Sequence, residues 1–193
     1  MTTYNLAELW EVLTDAGPDD ECLVAGDQRR TRRQLDDRAS QLAHDLAANG
    51  IGRNDHVGVY SLNRIEFVEA MLGCWKLAAV PININWRYVA KELRYVVGNA
   101  DLTAMIIERK YLPVFDEIAP DFPAVKHVVV LEDGTDHQPV NVEVVEYEAA
   151  LAGQPTNRDF GIDRSDDDRY LLYTGGTTGM PKGVEWRHED VFY

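Results

Sequence analysis

The residues richest in chemistry form one string, Tyr173-Thr174-Gly175-Gly176-Thr177-Thr178-Gly179-Met180-Pro181-Lys182-Gly183-Val184, entered from the apolar run Tyr170-Leu171-Leu172. Glycines let a backbone approach a ligand closely and turn through positive φ, so several N–H groups can converge on one anion. Threonine hydroxyls add donors, and Lys182 adds a mobile point charge suited to outer phosphates. The string is therefore a candidate grip for polyphosphate. A glycine pair and a lysine alone would fit a plain hairpin turn equally well. Two better-known phosphate loops are excluded. A Walker A loop needs Gly-Lys followed by Ser or Thr, whereas here Pro181 precedes Lys182 and Gly183 follows it. A dinucleotide turn opens a helix, whereas Val184 to Trp186 reads as a second short strand.

Composition narrows the partners. The 193 residues are 45% hydrophobic, enough for one domain that buries roughly 70% of its unfolded surface. With 33 acidic and 19 basic residues the formal charge is −14, which opposes nucleic acid and anionic membrane surfaces. The start, Met1-Thr2-Thr3-Tyr4-Asn5, has no basic region followed by an apolar run, and no stretch of about 18 apolar residues occurs. A cytoplasmic location is the expectation. Cys22 and Cys74 lie too far apart for a metal or redox motif and read as two buried thiols.

The elements that must position the string are legible in order. A helix is expected over Leu6 to Ala16, with Leu6, Leu9, Trp10 and Leu13 on one face and Asn5 and Glu8 spaced as a capping box. Gly26-Asp27 reads as a hairpin turn, and Thr31 with Gln34 caps a second helix closed by Asn49-Gly50. The cluster Arg29, Arg30, Arg32 and Arg33 reads as a solvated or ion-paired face. Strands then alternate with helices. His56–Tyr60, Ala79–Ile82, Thr103–Ile107 and His127–Leu131 are the strands, with amphipathic segments between them. This pattern predicts an α/β fold of right-handed βαβ units on a mostly parallel sheet with flanking helices. Pro81 lacks an N–H and requires an edge or end position. His56 and His127 have no metal-ligand spacing around them and read as structural, and Trp75, Tyr111 and Phe115 sit at core spacing. The polar loop 132–139 and the connector 153–168 interrupt the pattern, and Asp166-Asp167-Asp168 reads as a solvated run. A division at residue 55 is expected, with an N-terminal portion of helices and a hairpin packing on a later subdomain, and an α/β subdomain over 56–193.

Residues 173–184 resemble the phosphate-binding signature of the adenylate-forming superfamily, which includes acyl-CoA synthetases, firefly luciferases and peptide-synthetase adenylation domains. Gly175 stands where that signature usually has serine. The segment Lys76-Leu77-Ala78-Ala79-Val80-Pro81-Ile82-Asn83 resembles a second signature of the same superfamily, in the right order. Together they make the chain look most like the N-terminal part of the large domain of a fatty-acyl-CoA synthetase. The resemblance implies an intact enzyme two or three times this length, ending in a small C-terminal domain that carries a catalytic lysine.

That resemblance implies an AMP-forming acid–thiol ligase using ATP, Mg2+ and coenzyme A, acting on a small-molecule carboxylic acid. Site residues follow by motif position. Thr174, Thr177 and Thr178 would donate to phosphate, Gly175, Gly176 and Gly179 would offer backbone N–H groups, and Lys182 would stabilise the departing pyrophosphate. Peripheral contact with membranes and a homodimer remain open in this comparison. So do two rival readings, a non-catalytic binding module and another nucleotide-using α/β protein such as a kinase.

Overall fold

The computed structural model describes residues 4–174 and 179–191. In chain order it contains α1 (Leu6–Ala16), β1 (Glu21–Ala25), β2 (Gln28–Thr31), α2 (Arg32–Ala48), β3 (His56–Tyr60), α3 (Ile65–Lys76) and β4 (Val80–Asn83). Then come α4 (Ala90–Asn99), β5 (Leu102–Glu108), α5 (Leu112–Ile118), β6 (His127–Leu131), β7 (Val145–Glu146), α6 (Tyr147–Leu151), β8 (Arg169–Thr174) and β9 (Lys182–Arg187). Five strands form one parallel sheet in the order β4-β3-β5-β6-β7, and β1-β2 and β8-β9 are separate antiparallel pairs.

The sheet's strands read as near-continuous apolar runs because both faces are covered. Val57, Val59, Ala104, Ile106, Val129 and Leu131 point to the side carrying α2, α3 and α6. Tyr60, Met105, Ile107, Val128 and Val130 alternate to the other side, beneath α4 and α5. Gly58 in β3 permits this packing. A Cβ there would stand 2.5 Å from Met105 Sδ and 2.7 Å from Leu102 Cδ1. Pro81 lies on the edge strand β4, as its missing donor requires.

Local signals at the N-terminus act as their chemistry suggests. Asn5 caps α1, its Oδ1 accepting from Ala7 N at 3.1 Å and Glu8 N at 3.3 Å. Thr31 and Gln34 form the reciprocal capping box of α2. The arginine cluster is paired, Arg29 with Glu21, Arg32 with Asp20 and Arg33 with Asp19.

Three expectations are corrected. The buried face of α1 is Ala7, Glu11 and Thr14, while Leu13 is exposed. The reason is electrostatic. Lys76, fully buried at the end of α3, holds Glu11 at 2.8 Å and Asp36 of α2 at 2.7 Å, and this bond turns the charged side of α1 inward. Second, Cys22 is exposed on the small hairpin and only Cys74 is buried. Third, Asp168 is buried, in contrast to a solvated run. The connector 153–168 is stitched down rather than loose. Arg158 bonds Asp15 and Asp36 at 2.9 Å each, and Arg164 grips both Glu11 oxygens at 2.7 and 2.9 Å.

Candidate functional site

The described ends of the glycine-threonine string, Thr174 and Lys182, close the β8–β9 pair. In its register Thr174 faces Lys182, Leu172 faces Val184 and Tyr170 faces Trp186. Directly opposed residues share one face of an antiparallel pair. Leu171 and Tyr173 point the other way, into the cluster under α4 and α5. Thr174 and Lys182 are therefore both on the outer face and both exposed. The Thr174 hydroxyl donates to the Lys182 carbonyl at 3.4 Å. The Lys182 ammonium has no ion-pair partner among the described residues, so its charge is available to a ligand. Gly179 is exposed beside them and Pro181 is buried. Gly175, Gly176, Thr177 and Thr178 lie outside the described residues.

The far end of the hairpin is locked to the body. Asp168, just before β8, accepts from Asn5 Nδ2 at 2.9 Å and Ser165 N at 3.0 Å, and pairs with Arg53. Its carbonyl takes the His188 N–H at 2.8 Å, just after β9. The fully buried His188 ring accepts the Leu6 N–H on Nδ1 at 3.2 Å. Burial lowers its pKa from the usual 6.5 against the opposing pull of Asp168 and Asp166. A neutral ring is what that acceptor role needs. Sequence reasoning missed Asp168 and His188. Three consecutive aspartates carry no mark of which one folds inward, and only the register of β8 with β9 brings Asp168 to His188.

Doubly wound sheets usually bind ligands beyond the carboxyl ends of their strands, at the point where strand order reverses. Here that point lies between β3 and β5. The Glu108 carboxylate fills it, accepting Leu62 N–H at 2.9 Å and pairing with Lys110 at 2.8 Å. A cavity of about 550 Å³ continues along the same edge past Arg64, Arg109, Glu132 and Glu146. Both arginines are spent on carboxylates, Arg64 on Glu66 at 2.7 Å and Arg109 on Glu132 at 3.2 Å. This crevice is closed to phosphate by its own charges. The exposed end of the β8–β9 pair, where Lys182 has no ion-pair partner among the described residues, is the better candidate for an anion.

A parallel doubly wound sheet with an adjoining antiparallel pair at the ends of the glycine- and threonine-rich segment, rather than a βα turn there, defines a class of α/β protein distinct from P-loop and dinucleotide folds. The sequence profile of AMP-binding enzymes matches residues 11–193, and the chain belongs to that family. It is 47% identical over 188 residues to a medium/long-chain-fatty-acid–CoA/3-oxocholest-4-en-26-oate–CoA ligase of Mycobacterium tuberculosis, covering 97% of this chain and 34% of the relative. It is 50% identical over 188 residues to a 3-oxocholest-4-en-26-oate–CoA ligase of Rhodococcus rhodochrous, with the same coverage. The chain thus spans about a third of the length of the curated relatives it matches. Among solved structures, an anthranilate CoA ligase in complex with anthranoyl-AMP superposes with a TM-score of 0.88 at 26% identity, covering 97% of this chain and 35% of that one. The N-terminal domain of FACL13 from Mycobacterium tuberculosis superposes at 0.79 and 26% identity, covering 97% and 45%.

Proposed function

We propose that this chain supplies the ATP phosphate-binding loop of an AMP-forming acid–CoA ligase. The intact enzyme, in this reading, continues past residue 193 into the rest of the large domain and a C-terminal domain, and the exposed Val12 and Leu13 of the portion 1–55 pack against that later part. Two half-reactions follow. The substrate carboxylate attacks the α-phosphorus of ATP, forming an acyl-adenylate and releasing pyrophosphate. The coenzyme A thiol then attacks the acyl carbon, forming the thioester and releasing AMP. The first step depends on neutralising the departing pyrophosphate more than on a nucleophilic side chain.

The observation that carries this reading is the outward-facing pair Thr174 and Lys182 in direct register at the two ends of the glycine-threonine loop. Lys182 places a free ammonium on the pyrophosphate, and Thr174, Thr177 and Thr178 donate hydroxyl hydrogens to its oxygens. Gly175, Gly176 and Gly179 present backbone N–H groups. In this reading Mg2+ would enter with the nucleotide's own phosphates and supply further neutralisation. No helix among the described residues is long and apolar enough to cross a membrane. The names of the relatives point to an apolar acid, a fatty acid or a steroid side-chain acid.

The test is acid-dependent exchange of labelled pyrophosphate into ATP by the intact protein, with medium- and long-chain fatty acids and a cholestenoate compared. Exchange that requires one of these acids is expected. Transfer of the γ-phosphate with release of ADP would indicate a kinase, and absence of exchange with every acid would indicate a non-catalytic module. Either result would overturn the reading.

A further inference from the structure

The inner face of the hairpin carries a contact whose place at the loop's mouth gives it a purpose. Tyr173 and Gly183 are directly opposed, one residue inward from Thr174 and Lys182. A Cβ at Gly183 would stand 3.2 Å from Tyr173 Cε2, 3.3 Å from its Cζ and 3.1 Å from Leu171 Cδ2. The tyrosine ring therefore lies close against the bare backbone of Gly183, and a Cβ there would push it by a few tenths of an ångström. From there it reaches the last residue of α4, where its hydroxyl donates to Asn99 Oδ1 at 2.8 Å. Helix α4 is itself anchored by buried Leu93, Val96 and Val97. Burial, then Tyr95 and Asp101, push the Tyr173 hydroxyl pKa above its usual 10, so it stays a donor.

Resting on the function proposed above, we infer that Tyr173, Gly183 and Asn99 form a clamp that fixes the mouth of the phosphate loop from behind. The ring ties both strands of the hairpin to α4 where the loop begins and ends. Thr174 and Lys182 are thereby held side by side on the outer face. All three stand behind the outer-face pair, and in this proposal they act through it as positioning residues. Pre-set donors bind an anion without the cost of ordering two strand ends at the moment of binding. The close approach gives Gly183 a steric role rather than a conformational one: its φ is not positive, and a Cβ would make Leu171 and the Tyr173 ring give by a few tenths of an ångström.

The experiment uses the intact protein and acid-dependent pyrophosphate exchange, with KM for ATP and KM for the acid measured separately. Gly183→Ala displaces the ring and is expected to raise the ATP KM about tenfold, while the acid KM moves less than twofold. Tyr173→Phe removes only the hydroxyl and is expected to raise the ATP KM about two- to fivefold. Combining Tyr173→Phe with Asn99→Ala should add nothing beyond the larger single effect, because both break one bond. Equal rises in both KM values, or unchanged ATP KM in Tyr173→Phe and Gly183→Ala, would overturn the clamp while leaving the ligase reading intact. A wild-type protein without acid-dependent exchange would overturn the ligase reading and the clamp with it.

Discussion

Replacing Lys76 with methionine keeps most of the side chain's volume and removes one buried charge. The side chain is 1% exposed, and its ammonium lies 2.8 Å from Glu11 and 2.7 Å from Asp36. Taking one partner from a buried ion pair costs about 3–5 kcal/mol, because the remaining charge stays desolvated. Each carboxylate here keeps an arginine, Arg164 at 2.7 Å from Glu11 and Arg158 at 2.9 Å from Asp36, so the lower end, about 3 kcal/mol, applies. For a chain of this size that is a fall of about 6–12 °C in the thermal midpoint, at about 2–4 °C per kcal/mol. Circular dichroism melting of the 193-residue chain reads it directly.

The Lys76 deficit should also shrink in acid. Burial alone would raise the Glu11 carboxyl, but hydrogen bonds and charge from Arg164 and Lys76 outweigh it and hold it below its usual 4.5. A carboxyl lowered on folding gives stability that is present above 4.5 and lost as pH falls through its folded value. Lys76→Met gives up part of that contribution, so the two proteins converge as pH falls below 4.5 and through the lowered Glu11 value. A midpoint fall under about 2 °C at neutral pH, or a gap that widens in acid, would refute the account of α1 packing.

Further outcomes follow from single contacts. Gly58→Ala drives a methyl into Met105, Leu102 and Ile84 and should destabilise the chain by about 1–3 kcal/mol in denaturant titration; a neutral result would mean the sheet core is looser than its packing. In native protein a thiol reagent should modify Cys22 alone, because Cys74 is buried and its pKa is pushed up to about 12, with the second thiol appearing only on unfolding. Because the His188 pKa is lowered on folding, the unfolded chain takes up a proton below about pH 6.5 that the folded chain refuses, so stability falls as pH drops through that range. His188→Ala should flatten that part of the stability profile, and an unchanged slope would remove the assignment.

Much of the fold was legible because its causes are local. The cap at Asn5, the capping box at Thr31, the edge strand at Pro81 and the alternation of strands with helices each follow from a few neighbouring residues. The family was legible for the same reason, since the residues of its signature at 173–184 are consecutive in sequence. What sequence left hidden depends on partners far along the chain. Leu13 looked like a core residue until Lys76, 65 residues from Glu11, turned the other side of α1 inward. Asp168 looked solvated because Asn5 and Arg53, 163 and 115 residues away, are needed to bury it. Tyr173 looked like an ordinary strand residue, and its bond to Asn99 spans 74 residues.

The loop's role rests most directly on Lys182. In the intact protein, Lys182→Ala should slow acid-dependent ATP–pyrophosphate exchange by about 10- to 150-fold, the loss of one charge-assisted hydrogen bond of about 1.5–3 kcal/mol. The side chain is exposed and unpaired among the described residues, so the thermal midpoint should not move. Exchange at the wild-type rate in a folded Lys182→Ala protein would contradict the assignment of this hairpin as the phosphate site.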